Sequence, residues 1–90
     1  MLHTKDGRPL ARSGDDLHAR SGRHVARVRG RRAFGPDGRY VGTLVGDRLV
    51  FRSGDGVALG VPFLELPRVA FSAVNAIPAA ILGDEPPIPD

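Results

Sequence analysis

Glycine recurs along this chain at a nearly constant interval, and this periodicity limits what the chain can fold into. Four glycines are separated by 15, 16 and 16 residues, and each is followed four positions later by a small residue. The glycines are Gly7, Gly22, Gly38 and Gly54, and the small residues are Ala11, Ala26, Gly42 and Ala58. A second glycine recurs at Gly14, Gly30 and Gly46. A unit repeated four times predicts four copies of one supersecondary structure, each burying its apolar face against its neighbours.

Each repeat unit has the composition of a β-hairpin. In all four units the first glycine follows Asp or Ser. This pairing favours tight turns because glycine takes positive φ without a Cβ clash. The segments between turns, such as residues 39–45 (RYVGTLV), are rich in β-branched residues and too short for helices. Within residues 1–62, no stretch keeps apolar residues at the helical spacing i, i+3, i+4, i+7 for two turns without an interrupting glycine. We therefore predict an all-β fold of four hairpin repeats of about 16 residues each.

The column of small residues favours a closed ring of eight strands over an open β-roll. Residues crowded round a pseudo-fourfold axis must be small, as is the axial glycine of collagen. Closure also leaves no free strand edge that would invite aggregation. We expect this small column at the axis, with the preceding apolar column packed beside it. The residues of that second column are Leu10, Val25, Val41 and Val57.

The repeat resembles the bacterial four-fold beta flower domain family. Residues 17–26 (LHARSGRHVA) and 49–58 (LVFRSGDGVA) carry the resemblance: a hydrophobic–aromatic pair, a turn glycine and a Val-Ala or Val-Gly pair recur four times in the family. One column departs from the family pattern, because its aromatic position holds His3, His18, Phe34 and Val50. The resemblance implies a four-petal fold for residues 1–63 and implies no activity.

From Phe63 onward the repeat stops and the composition changes. Residues 66–77 (LPRVAFSAVNAI) are apolar and alanine-rich, with Pro67 placed to begin a helix and Pro78 to end one. We predict a helix of two to three turns here, with an extended strap as the alternative. In either form the segment is expected to cap apolar surface that about 62 residues cannot bury alone.

The last residues, 83–90 (GDEPPIPD), are expected to form a proline-stiffened acidic tail. The tail is expected either to lie on the arginine-rich face or to remain free as a docking peptide. The predicted organisation is therefore a four-repeat β domain at 1–63, with a C-terminal cap and tail at 64–90 packed on the same domain.

Positive charge is concentrated within the repeats. Residues 1–62 carry 12 Lys+Arg against 6 Asp, whereas residues 63–90 carry one Arg against four carboxylates. Six arginines fall within 13 residues: Arg20, Arg23, Arg27, Arg29, Arg31 and Arg32. Such a basic patch suits a phosphate backbone and predicts salt-dependent binding. The aromatic side chains that stack single-stranded bases are nearly missing, because only Tyr40 is near. A solvated face and contact with an acidic protein are the alternatives.

Signatures of enzymes and of metal sites are weak in this sequence. The absence of cysteine excludes a thiolate zinc site, an iron–sulfur cluster and a cysteine nucleophile. His18 and His24 could hold a metal across one turn with an aspartate at 15 or 16, but His18 shares a repeat column with Phe34, which favours packing. The other aspartates and the serines mostly occupy turns. We expect no catalytic residue, no cofactor and no metal.

Together these features favour a non-enzymatic binding or structural module, because repeat folds display equivalent loops on one surface. Its partner is expected to be an unidentified protein or a second copy in a homo-oligomer. Nucleic-acid binding through the Arg20–Arg32 face is the alternative. No apolar run approaches the roughly 18 residues that span a bilayer, and the N-terminus lacks a signal-peptide core. We therefore expect a cytoplasmic protein with no membrane partner.

Overall fold

The body of the protein is a closed barrel of seven short β-strands. The computed structural model describes residues 2–55 and 60–89. The strands are β1 (Leu2–Thr4), β2 (Pro9–Ser13), β3 (Asp16–His18), β4 (His24–Arg29), β5 (Arg32–Phe34), β6 (Tyr40–Val45) and β7 (Arg48–Val50). Within the described residues the only helical element is a 3-10 turn at Ser53–Asp55. The prediction of an all-β fold is confirmed.

Consecutive strands pair antiparallel round the barrel, but the pairing that closes it is parallel. β7 lies beside β1 with Arg48 opposite His3 and Leu49 opposite Thr4. Two backbone hydrogen bonds hold this seam: His3 N donates to Asp47 O, and Lys5 N donates to Leu49 O, both at 3.0 Å. An eighth strand would have to lie between β7 and β1 and run antiparallel to both. The direct pairing leaves it no place, so the predicted eight-strand ring is wrong and the barrel has seven strands.

Because consecutive strands alternate in direction, the turns alternate between the two ends of the barrel. One end, here called the strap end, carries the turns at Gly7, Gly22 and Gly38, which have φ values of +97°, +88° and +82°. The other, the open end, carries the turns at Gly14, Gly30 and Gly46. The fourth unit differs, because Gly54 lies in the 3-10 turn and does not have a positive φ.

The hydrophobic core lies inside the barrel, where Leu10, Leu17 and Leu49 are fully buried. Two members of the small column also lie there: Ala26 is buried opposite Leu17, and Gly42 is buried opposite Ala33. A Cβ added at Gly42 would lie 2.8 Å from Leu49 Cγ, so this position has room for nothing larger than glycine. Ala11 is only half-buried, and Ala58 and its neighbour Val57 lie outside the described residues.

The C-terminal part of the chain forms neither a helix nor a strand over residues 60–89, apart from one bridge between Phe51 and Asp84. The helix predicted over 66–77 is therefore wrong. Residues 60–82, here called the strap, instead contact the three strap-end turns in reverse order. Gly60 N donates to Gly38 O, Val69 N to Gly22 O and Ala76 N to Gly7 O, at 2.8, 3.0 and 2.9 Å.

Distance explains why the strap is not helical. The seven residues from 69 to 76 would span about 10 Å as a helix and about 23 Å when extended. Residues 69 and 76 hydrogen-bond to two successive turns on the rim of the barrel, at Gly22 and Gly7, a separation that the extended form can span. Among residues 2–55 and 60–89, no helix is long and apolar enough to cross a membrane.

Candidate binding sites

The six arginines of the predicted basic face are spread along β4 and round the turns at its two ends. All six are exposed, but β4 carries the chain from one end of the barrel to the other. Arg20 and Arg23 lie in the turn at the strap end, and Arg27 lies within β4. Arg29, Arg31 and Arg32 lie round the β4–β5 turn at the open end. A cluster that is continuous in sequence is therefore distributed over the full height of the barrel.

The strap binds both arginines at the strap end, Arg23 through a carboxylate and Arg20 through a neutral amide. Arg23 Nε donates to Glu65 Oε1 at 2.8 Å. This hydrogen bond lowers the pKa of the Glu65 carboxyl and raises that of the Arg23 guanidinium. Arg20 Nη1 donates to Asn75 Oδ1 at 3.3 Å. Both side chains are thus engaged by the protein itself.

Arg27 is also engaged, on the outer surface of β4. Its Nε donates to Asp16 Oδ1 at 3.1 Å, and its guanidinium lies 4.7 Å from the centre of the Phe63 ring. The face of an aromatic ring attracts a cation in this position. The interaction joins the beginning of the strap to the barrel wall.

The arginines at the open end have few partners. The side chains of Arg29 and Arg31 make no hydrogen bond or ion pair with any residue that the structure describes. Arg32 Nη2 lies 3.9 Å from Asp55 Oδ1, the long limit of an ion pair. A Cβ added at Gly30, between Arg29 and Arg31, would meet nothing within 4 Å. This turn therefore presents positive charge to solvent.

His18 and His24 form a buried stacked pair beneath the strap, with ring centres 5.1 Å apart. His24 Nδ1 accepts a hydrogen bond from Leu66 N at 3.0 Å, so the ring proton must lie on Nε2. That nitrogen lies 3.0 Å from Asp16 Oδ1, although the angle is not that of a formed hydrogen bond. Neither nitrogen of His18 has a partner, and the side chain is only 3% exposed.

Burial lowers the pKa of His18, the nearby His24 lowers it further, and Asp16 partly opposes both effects. The neutral ring is thus favoured, as suits a side chain in the repeat column of Phe34. Over the described ranges, no group of three or more His, Cys, Asp or Glu side chains could hold a metal ion. The geometry gives this pair a packing role.

The sequence did not reveal a polar site at the turn round Gly7, here called the first turn (residues 4–8). At this site the chain binds its own tail (residues 83–89). The Glu85 carboxylate accepts hydrogen bonds from Arg8 Nε, from Thr4 Oγ1 at 2.7 Å and from Asp6 N at 2.9 Å. Almost eighty residues separate donors from acceptor, so no local motif marks the site. The one available signal is Thr4, a hydroxyl residue where the later units have Ala19 and Gly35.

The strap exposes an apolar surface. In the described residues, every large hydrophobic side chain that is exposed lies between positions 61 and 82. They are Val61, Leu64, Leu66, Val69, Val74, Ile77 and Leu82. Leu64 and Leu82 are 91% and 86% exposed.

Comparison with known proteins adds no relative to this chain. No family model, no curated protein and no solved structure matches it.

Proposed function

We propose that this protein is a non-enzymatic binding module whose strap contacts a protein partner or a second copy of the chain. The observation that carries the proposal is the confinement of all exposed large apolar side chains of the described residues to the strap. A concentration of apolar side chains on one surface is typical of a protein interface.

The way in which the strap is attached supports this proposal. Backbone hydrogen bonds hold the strap to the strap-end turns, such as Val69 N to Gly22 O and Ala76 N to Gly7 O, and polar side chains such as Glu65 add to them. These bonds do not require an apolar side chain. Val74 and Ile77 are 73% and 83% exposed, so burial in this chain does not account for them. Burial against the surface of a partner would account for them.

Serine substitution of the strap tests the proposal. We expect Leu64→Ser, Ile77→Ser and Leu82→Ser together to leave the barrel folded and to weaken association by at least tenfold. The reason is the loss of roughly 1.5–3 kcal/mol of burial energy per side chain at the interface. Association is measured by sedimentation velocity for the chain alone and by crosslinking pull-down for other proteins. The matched control is Ala80→Ser, also exposed on the strap. If the wild type is monomeric and both proteins capture the same set of partners, the proposal is wrong.

The open end favours a second candidate function, binding to a phosphate backbone. The side chains of Arg29 and Arg31 are exposed and have no partner among the described residues, so their charges are available to a polyanion. Replacing both by Gln should weaken binding to duplex DNA and lower the slope of log affinity against log salt by about two. Replacing Arg20 and Arg23, which are engaged by the strap, should have little effect. Equal loss in both double variants would remove the assignment to the open end.

We further propose that the barrel derives from four hairpin units of the four-fold beta flower type, with the C-terminal segment as their cap. Equivalent backbone hydrogen bonds in three turns support this: Thr4 N to Arg8 O, Ala19 N to Arg23 O and Gly35 N to Arg39 O, at 2.8–2.9 Å. Contact of the strap with each of these turns supports the capping role. In the fourth unit, the described strand β7 pairs with β1 at the parallel seam.

A further inference from the structure

The tail (residues 83–89) is held at the strap end as a bound peptide would be. Three donors from the first turn surround the Glu85 carboxylate: the Arg8 guanidinium, the Thr4 hydroxyl and the Asp6 backbone N–H. Thr4 is fully buried, and its hydroxyl also accepts from Arg8 N at 3.1 Å, which fixes the direction in which it donates. The carboxylate is therefore recognised by an oriented set of donors.

Arg8 also binds the backbone of the tail. Its Nη1 donates to Ile88 O at 2.9 Å and its Nη2 donates to Pro86 O at 3.0 Å. Pro86 is fully buried and Ile88 is 7% exposed, within the main hydrophobic core. One guanidinium thus binds an acidic side chain and two carbonyls of a segment in which Pro86 and Ile88 are buried and Ile88 N donates to Pro86 O.

Among the three strap-end turns, only the first provides this set of donors. The equivalent arginines of the next two turns are Arg23 and Arg39, but the position of Thr4 is occupied there by Ala19 and Gly35. Arg23 binds Glu65 of the strap on the surface, with both side chains more than a third exposed. The first turn therefore differs from its repeats by the hydroxyl that completes the carboxylate site.

We propose that the first turn and the adjoining strap end of the barrel are a receptor for a peptide of the form Glu-Pro-Pro-aliphatic. The chain's own tail occupies the receptor, and a peptide of the same chemistry from another chain binds when the tail leaves. Next to Ile88 a cavity of about 450 Å³ remains, lined in part by Val25, Tyr40 and Val41. This cavity gives room for residues that follow the aliphatic anchor. The proposal does not depend on the surfaces assigned in the proposed function.

The tethered tail competes with any added peptide. A segment joined to its receptor acts at an effective concentration on the order of millimolar, so a micromolar peptide cannot displace it. The test therefore begins with a full-length variant, Glu85→Ala, that weakens the tail but leaves Thr4, Asp6 and Arg8 intact. The probe is a fluorescein-labelled peptide with the sequence of residues 83–90, followed by anisotropy.

We expect Glu85→Ala to bind the peptide at least tenfold more tightly than the wild type does. Adding Arg8→Gln to Glu85→Ala should weaken binding by about tenfold or more, because charge-assisted hydrogen bonds are lost. Adding Arg23→Gln instead, the matched arginine of the second turn, should leave binding unchanged. A peptide with Gln in place of Glu should bind as weakly as the Arg8 variant binds the original.

Two results would overturn the proposal. One is peptide binding to Glu85→Ala that is no stronger than to the wild type. The other is equal loss of binding with Arg8→Gln and Arg23→Gln. If Glu85→Ala does not fold, the wild-type protein decides: the methyl signal of Ile88 should move toward its unfolded position with several millimolar peptide, and an unmoved signal rejects the receptor.

Light scattering of the wild type distinguishes the sources of the second peptide. A monomer at all concentrations assigns the site to a foreign chain, whereas a dimer that the peptide dissociates assigns it to the tail of a second copy. Either of these results supports the receptor. A dimer that the peptide leaves intact must be held together by another surface, and it counts against exchange of the tail between two copies.

Discussion

At the scale of single residues, His18 fills a packing position of the repeat at the cost of burying polar ring nitrogens. The ring stacks on His24 and fills the column that Phe34 fills in the next unit, but both of its nitrogens are buried without a partner. An unpartnered buried polar atom costs more than an apolar atom in the same place. The lowered pKa of His18 follows from the same burial.

This arrangement predicts an acid-sensitive barrel. The pKa of His18 in the folded state lies below the unfolded value of about 6.5. Between these two values the unfolded chain binds more protons, so stability rises with pH. The contribution of His18 is therefore complete above pH about 6.5 and is lost as the pH falls toward the folded pKa.

His18→Phe should remove this part of the pH dependence and raise the free energy of unfolding at pH 7.5 by about 1 kcal/mol. Urea unfolding at pH 7.5 and pH 5 measures both effects. His3→Phe makes the same replacement in the same repeat column but leaves the His18–His24 pair in place, so it should keep the wild-type slope. A slope in His18→Phe equal to that of the wild type would show that acid acts through other groups.

At the scale of elements, the strap depends on the absence of side chains from the turns beneath it. A Cβ added at Gly22 would lie 2.1 Å from Val69 O, too close for the strap to remain in place. A Cβ added at Gly14, at the open end, would meet nothing within 4 Å. Both glycines have positive φ, at +88° and +60°, so alanine strains the backbone at either position.

Comparison of these two glycines isolates the contact with the strap. Gly14→Ala should cost about 1–2 kcal/mol of stability from the backbone conformation alone. Gly22→Ala should cost more and should also release the strap near Val69. We expect limited proteolysis between residues 64 and 75 to be several-fold faster in Gly22→Ala than in Gly14→Ala. Equal cleavage rates would mean that the strap is not held by this turn.

The elements also show what the sequence could predict. Local turn chemistry placed tight turns at glycines such as Gly22 and Gly30, and the short segments between them are strands. The helix predicted at 66–77 is wrong because Pro67 and the alanines indicate only a local preference. Hydrogen bonds to the carbonyls of Gly22 and Gly7 hold the segment in an extended form instead. The parallel seam could not be predicted, since a strand's own residues do not specify which edge it meets.

The candidate sites were predictable to a similar extent. The exposure of Arg29 and Arg31 follows from their place beside Gly30, a tight turn. The separation of Arg23 from Arg29 follows only when β4 is known to cross the barrel. The site that binds Glu85 joins residues from the two ends of the chain, and nothing in either segment alone indicates the other.

At the scale of the whole molecule, the tail fastens the seam that closes the barrel. β1 and β7 are three residues each, and a short parallel pairing is weak. Residues 83–85 bind to both sides of it. Asp84 exchanges two backbone hydrogen bonds of 2.8 Å with Phe51, just after β7, while Lys5 Nζ donates to Gly83 O at 2.6 Å. The Thr4–Glu85 contact completes the clamp on the side of β1.

If the tail is this clamp, loosening it should open the seam before the rest of the barrel. We expect Glu85→Ala to accelerate hydrogen exchange of the His3 and Lys5 amides, the two donors of the seam, by about tenfold, since the charge-assisted hydrogen bonds to the first turn are lost. The amides of Val28 and Leu44, which are hydrogen-bonded at the open end, should exchange at the wild-type rate. Site-resolved exchange by NMR measures all four. Uniform acceleration would mean that the tail stabilises the whole barrel equally, whereas unchanged seam amides would mean that the parallel pairing holds without the tail.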